Sequence, residues 1–152
     1  MEVEIKNIEE EKVAYVSVTG PYDQLPELFG EVVGYVMKEN LQITGPPYGI
    51  YMNSPLDVSP EELQYEVGIT FTGAANGEGR VKIKEIPAHQ VVSTVYKGPY
   101  GQAAQIYQAL MKYAMENSYD IVGPVKEIYI NNPMEVSESE LLTEVQFPVM
   151  KK

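Results

Sequence analysis

Gly20-Pro21-Tyr22 returns as Gly98-Pro99-Tyr100, 78 residues further along the chain. At the same spacing Gly45-Pro46 becomes Gly123-Pro124, Ile50-Tyr51 becomes Ile128-Tyr129, and Asn53 and Pro55 become Asn131 and Pro133. Val58-Ser59, Glu62-Leu63 and Glu66-Val67 have counterparts in Val136-Ser137, Glu140-Leu141 and Glu144-Val145. No gap is needed between Val3/Val81 and Phe71/Val149, a register that chance does not sustain over such a length. A fixed internal period decides an architecture before any finer signal. The chain therefore reads as one domain made of two copies of a unit, residues 1–78 and 79–152.

Each copy has the same order of elements. Val3 to Ile8 and Val13 to Thr19 alternate and are β-branched, as half-buried strands are, and the first is expected to partner the second. Val81 to Ile86 and Val91 to Lys97 repeat them. The Gly-Pro-Tyr turn then leads into an amphipathic helix, because Leu25, Leu28, Phe29, Val32, Val33, Val36 and Met37 recur at helical spacing. Ala103, Ile106, Tyr107, Leu110, Met111, Ala114 and Met115 do the same in the second copy. Asp23 is the expected N-cap, with Pro26 in the first turn where its missing N–H costs little. Both helices stop before Gly45-Pro46 and Gly123-Pro124. Tyr48 to Asn53 with Leu63 to Phe71, and Lys126 to Asn131 with Leu141 to Val149, complete each unit as strands. The fold class is α+β: a duplicated strand–helix–strand–strand module, antiparallel sheets with helices on one face, and pseudo-twofold symmetry between the copies. A unit of this size buries little surface alone, which favours packing against its twin.

Composition narrows the function. The 152 residues carry 44% apolar and 22% charged side chains, enough for a real core. No apolar run approaches the length of a membrane span, and the acidic start Met1-Glu2-Val3-Glu4 carries no basic signal-peptide region, so a cytoplasmic protein without membrane partners is expected. Cysteine is absent, which excludes disulfides, thiolate catalysis and zinc–thiolate sites. The net charge of −11 repels phosphate backbones, so no direct nucleic-acid binding is expected, and it attracts cationic small molecules. Twelve tyrosines against three phenylalanines and no tryptophan suit walls that meet both a core and a ligand.

Strand alternation separates two sheet faces. With Leu141, Val145, Phe147 and Val149 facing the helix, Glu144 and Gln146 point away. With Ile128 and Ile130 taken as core-facing, Glu127, Tyr129 and Asn131 join them on the far side. The first copy leaves Tyr51, Asn53 and Glu66 there. Tyr51, Glu66, Glu127, Tyr129 and Glu144 are thus candidate ligand contacts on one surface, with Tyr113 on a helix flank as a further wall. Carboxylates among tyrosines in a concave site suit a cationic or polyfunctional aromatic ligand.

The order Gly98-Pro99-Tyr100, amphipathic helix, Gly123-Pro124, Glu127-Ile128-Tyr129, Asn132-Pro133 and the closing Leu141 to Val149 strand resembles the GyrI-like family, also called the AraC-type or bacterial transcription activator effector-binding domain. The resemblance covers nearly the whole chain. It implies a groove between the repeats that takes small lipophilic or cationic molecules, with aromatic walls and a buried glutamate that maps to Glu127 or Glu144. Regulators of the family carry a helix-turn-helix domain ahead of this module, whereas this sequence opens on the first strand and reads as a stand-alone binder. Relatives that hydrolyse cyclopropane-containing genotoxins with a pocket glutamate keep an enzyme in view, with Glu127 or Glu144 as the catalytic residue. Gyrase-inhibitory relatives keep a protein partner or a homodimer in view.

Other chemistry is absent from the pattern. His89, the only histidine, follows Pro87-Ala88 between two strands, where a turn residue is expected, and no Gly-x-Ser-x-Gly elbow exists to pair with it. Gly73 to Gly79 lacks the Lys-Ser/Thr of a phosphate loop and reads as a linker. The short acidic runs Glu9-Glu10-Glu11 and Glu61-Glu62 match no calcium-loop spacing. Neither a metal site nor a cofactor is expected.

Overall fold

The computed structural model describes residues 2–152. Its elements run β1 (Glu4–Ile8), β2 (Glu11–Thr19), α1 (Leu25–Lys38), β3 (Gln42–Ile43), β4 (Tyr48–Tyr51) and β5 (Gln64–Thr72), then β6 (Lys82–Ile86), β7 (His89–Lys97), α2 (Ala103–Glu116), β8 (Tyr119–Ile121), β9 (Val125–Tyr129) and β10 (Leu142–Lys151). Each principal element of the first half recurs in the second at the 78-residue spacing of the sequence, α1 and α2 with the same length of 14 residues. The fold is mixed α+β, and the strand pairings are antiparallel.

The chain divides into two compact units, residues 2–9 with Ala88–Lys152, and Glu10–Pro87. Around α1 the strands order β6-β2-β5-β4, with β3 on β5. Around α2 they order β1-β7-β10-β9, with β8 on β10. The copies have exchanged their first strands. β1 was expected to partner the strand that follows it, yet Ile5 lies opposite Val92 on β7, and Ile83 lies opposite Ala14 on β2. The connections explain this. Only Glu9-Glu10 separates β1 from β2, and only Pro87-Ala88 separates β6 from β7. Neither dipeptide supplies the positive φ that a two-residue hairpin turn requires. The strand runs on into the other unit. His89 consequently opens β7, opposite Ile8, and is not a turn residue.

In the α1 unit, Leu28, Val32, Tyr35 and Val36 of the helix pack on Ala14, Val16, Tyr65, Val67 and Ile69. Each fully buried Val or Leu contributes roughly 1.5–3 kcal/mol relative to an exposed one. In the α2 unit, Leu110 and Ala114 are buried above a sheet face whose register aligns Val92 with Phe147 and Thr94 with Val145. Asp23 caps neither helix: it lies in a 3-10 turn over Tyr22–Gln24, and α1 begins after Gln24 without a side-chain cap. Two residues past each helix, Asn40 and Ser118 hold φ of 55° and 64° and turn the chain away.

The repeated residues have backbone reasons. Gly20 and Gly98 hold φ of 142° and 130°, and their N–H groups donate to the Leu63 and Leu141 carbonyls at 2.8 Å. Asn53 takes the Gln64 N–H at 2.9 Å and donates to the Glu62 carbonyl at 3.1 Å; Asn131 does the same with Leu142 and Glu140. The Gly73 to Gly79 segment is docked on α1. The Gly77 N–H donates to the buried Tyr35 hydroxyl at 2.9 Å, and Lys38–Glu78 and Arg80–Glu31 ion pairs flank it. Gly77 has φ 84°, and a Cβ there would meet the Val81 carbonyl at 2.6 Å. Gly77→Ala should therefore lower unfolding free energy by about 1–3 kcal/mol in urea titrations. An unchanged midpoint would show that the segment contributes nothing to the α1 unit.

Candidate functional site

The strand registers divide the candidate contacts between two sheet faces. Val145 lies opposite Glu127, and Thr143 opposite Tyr129, so Glu127 and Tyr129 share the face that α2 covers. Glu144 lies opposite Ile128 on the other face. The expectation that Ile128 faces the core and Glu127 faces away is thus reversed, because β9 pairs one residue out of the assumed phase. A slip of one residue moves every side chain of a strand to the opposite face. In the α1 unit the same division holds: Tyr51 sits opposite Tyr65 on the helix side, and Glu66 sits opposite Ile50 on the far side. Tyr113 lies on α2, half-buried, its carbonyl taking the Asn117 side-chain amide at 2.8 Å.

On the far faces the glutamates clasp lysines. Glu144 accepts from Lys6 Nζ, Ser93 Oγ and Gln146 Nε2, each at 2.7 Å. Glu66 accepts from Lys84 Nζ at 2.7 Å and from Tyr48 Oη at 3.0 Å, and the Lys84 ammonium stands 4.1 Å from the Tyr15 ring centroid. Lys6 and Lys84 are repeat equivalents carried on the exchanged strands β1 and β6. Each lysine therefore ties a borrowed edge strand to the centre of its sheet. Burial pushes the Glu144 carboxyl up, but the Lys6, Gln146 and Ser93 hydrogen bonds more than reverse this and leave it below its ordinary value.

On the helix side of the α2 unit the chemistry is different. Glu127 is 7% exposed, and its carboxylate accepts a hydrogen bond from the Tyr107 hydroxyl on α2. Burial pushes its pKa up, and the Tyr107 bond offsets only part of that. No cationic side chain among the described residues pairs with it. Tyr100 and Tyr129 meet edge to face at 5.5 Å, and Tyr107 meets Phe147 at 5.8 Å. Burial, then the Glu127 charge, raises the phenols of both Tyr96 and Tyr100, which places the two rings in the field of the carboxylate. Tyr96, Tyr100 and Tyr107 were not among the residues that sequence reasoning selected.

The first copy has no such acid. Gly49 stands where the second has Glu127, and a Cβ on it would meet the Tyr51 hydroxyl at 2.5 Å. Tyr51 folds over that position and packs with Tyr22 at 5.5 Å and Tyr65 at 6.1 Å. Phe29 stands in place of Tyr107. An all-tyrosine cluster thus fills the space that a buried carboxylate occupies in the α2 unit. Among the described residues no group of three or more His, Cys, Asp or Glu could hold a metal ion, and no helix is long and apolar enough to cross a membrane.

A model of the GyrI-like small molecule binding domain matches residues 1–150. The chain belongs to the GyrI-like family. Among solved structures, this GyrI-like chain is similar to the EcmrR C-terminal domain, with a TM-score of 0.87 and 25% identity over 99% of this chain and 98% of that one. A hydrolase from Listeria innocua shares the fold at TM-score 0.75 and 13% identity, covering 98% of this chain and 92% of its own. SAV2435, solved bound to tetraphenylphosphonium, shares it at TM-score 0.63 and 12% identity, covering 99% and 94%. No curated protein sequence matches the chain.

The two acids of this GyrI-like domain titrate in opposite senses, and stability should follow. A carboxyl raised in the fold binds its proton more tightly there than in the unfolded chain. Its contribution favours the fold in acid and is lost as pH rises through the raised value. Glu127→Gln should therefore raise the melting temperature at pH 7.5, with the gain shrinking below the ordinary carboxylate range. Glu144 is depressed, so its contribution is present above the ordinary range and lost as pH falls. Glu144→Gln should lower the melting temperature at pH 7.5, by about 1–3 kcal/mol of stability. Paired melting curves from pH 4 to 8 read both, and equal shifts of one sign would refute the assignment.

Proposed function

We propose that this chain is an effector-binding protein for lipophilic cations, held on the helix side of the α2 unit. Glu127 is the anionic partner, and Tyr100, Tyr107 and Tyr129 supply the aromatic contacts. The observation that carries this reading is a buried carboxylate whose desolvation no cation among the described residues relieves. An isolated buried charge is costly, and a ligand cation that enters beside it removes the penalty while the rings add cation–π attraction. The net charge of −11 draws such ligands toward the protein. The tetraphenylphosphonium complex of SAV2435, a protein of the same fold, belongs to this ligand class. Of the residues selected from sequence, Glu127 and Tyr129 carry the reading, with Tyr113 on the same helix as Tyr107. Glu66 and Glu144 hold strands through their lysines, and Tyr51 fills the α1 unit.

Calorimetry with tetraphenylphosphonium tests it. Glu127→Gln should weaken binding by about 1–3 kcal/mol, the range of a charge-assisted contact. A permanent cation needs the ionised carboxyl, so the affinity of the wild type should also rise with pH as Glu127 loses its proton, and this dependence should vanish in the variant. Unchanged affinity in Glu127→Gln refutes the assignment. A second reading rests on the same acid: a carboxyl that burial pushes above its ordinary value, beside a tyrosine hydroxyl, is placed for general acid–base work. Turnover of a cyclopropane-containing substrate that Glu127→Gln abolishes would identify a hydrolase, whereas saturable binding without turnover identifies the effector binder.

A further inference from the structure

Two hydroxyls beside Glu127 are buried and unused. Tyr96 is 6% exposed and Thr143 fully buried, and apart from each other neither Tyr96 Oη nor Thr143 Oγ1 has a hydrogen-bond partner among the described residues. They stand directly opposite each other across β7 and β10, on the face that carries Glu127 and Tyr129. Buried hydroxyls are normally satisfied, and each exception calls for an explanation. The first copy shows how this fold satisfies the position when it has only structural work. There the equivalent pair is Val18 opposite Tyr65, and the Tyr65 hydroxyl donates to the Pro21 carbonyl at 2.8 Å. In the second copy the aromatic ring has moved to the opposing strand, and its hydroxyl has lost that partner.

We infer that Tyr96 and Thr143 form a specificity-determining pair that selects cations bearing N–H groups, such as aryl amidinium ions, over permanently charged cations without them. The inference rests on Glu127 as the cation partner. An amidinium is planar and presents several N–H donors around one delocalised charge. One edge can donate to the Glu127 carboxylate while the remaining N–H groups donate to the two hydroxyl oxygens. A phosphonium or quaternary ammonium satisfies the charge and leaves both hydroxyls without a partner beyond each other. A site with buried polar groups discriminates strongly against a ligand that cannot pair them.

The test compares 4′,6-diamidino-2-phenylindole, a diaryl amidine read by fluorescence, with tetraphenylphosphonium read by calorimetry. Tyr96→Phe and Thr143→Val each remove one oxygen and keep the shape. The double variant should lose at least tenfold in affinity for the amidine and stay within twofold for tetraphenylphosphonium. Its melting temperature should hold or rise, because the two hydroxyls reach no group beyond each other and the double variant removes both together. Amidine affinity within twofold of the wild type, or an equal loss for both probes, overturns the pair; so does a fall in melting temperature, which would mark the hydroxyls as structural. Glu127→Gln separates the two levels. If it weakens both probes while the double variant changes neither, only the hydroxyl pair fails. If it changes neither, or if the wild type binds neither probe, the Glu127 reading fails with it.

Discussion

The pairing of β10 with β7 on one side and β9 on the other sets which side chains of the α2 unit meet the helix. Because an antiparallel register places opposed residues on the same face, Thr143, Val145 and Phe147 bring Tyr96, Thr94 and Val92 from one neighbour, and Tyr129 and Glu127 from the other. The polar tip of Glu127 is thereby committed to the side where Tyr107 of α2 donates to it. Glu144, one residue before Val145, is committed to the opposite face and to Lys6. Two glutamates on neighbouring strands therefore differ in kind: Glu144 is paired with a lysine, and Glu127 has a tyrosine hydroxyl and no cation among the described residues.

That register needs a held edge. β1 reaches β7 from the far end of the chain, and its Lys6 passes beside Ser93 to bond Glu144 on β10. β6 and Lys84 do the same for β2 and Glu66. Both ion pairs are part-buried and share their carboxylates with neutral donors, so they resist screening better than the exposed Lys38–Glu78 pair. The packing partners around them differ between the copies. Tyr48 and Gly68 in one become Lys126 and Gln146 in the other, and the Tyr48 hydroxyl occupies the space where a Cβ on Gly68 would lie. The lysine–glutamate bond survives both arrangements, which marks it as the feature the sheet requires.

The duplication made the architecture legible. Gly20 and Gly98, Asn53 and Asn131, and the Glu66 and Glu144 that receive lysines recur because backbone conformation, loop closure and edge-strand retention are the same problem solved twice. The strand exchange was not legible, since alternation says that a segment is a strand and not which strand it pairs with. The face of Glu127 was misread for a related reason: Ile128 and Ile130 looked like a core pair, but Ile130 is 40% exposed and lies beyond the end of β9. The signal that would have found the site lay in the mismatches of the 78-residue register. Gly49 against Glu127, Phe29 against Tyr107, Val18 against Tyr96 and Tyr65 against Thr143 all converge on the helix side of one sheet. Strand alternation, with Ile128 taken as core-facing, instead groups Glu127 with the lysine-paired Glu66 and Glu144.

These four departures on the helix side run in one chemical direction. Each replaces an apolar or internally satisfied group with a polar one, and none of them brings a compensating cation. A core evolving for stability alone would move the other way, since a buried acid without a cation and two buried hydroxyls without partners beyond each other oppose folding. The first copy is the control built into the same chain: with Gly49, Tyr51 and Tyr65 it closes the equivalent space on rings and a satisfied hydroxyl. The second copy keeps a deficit of positive charge and hydrogen-bond donors in a place that α2 covers. On the proposed reading, a ligand supplying both would gain on binding what the protein forgoes on folding.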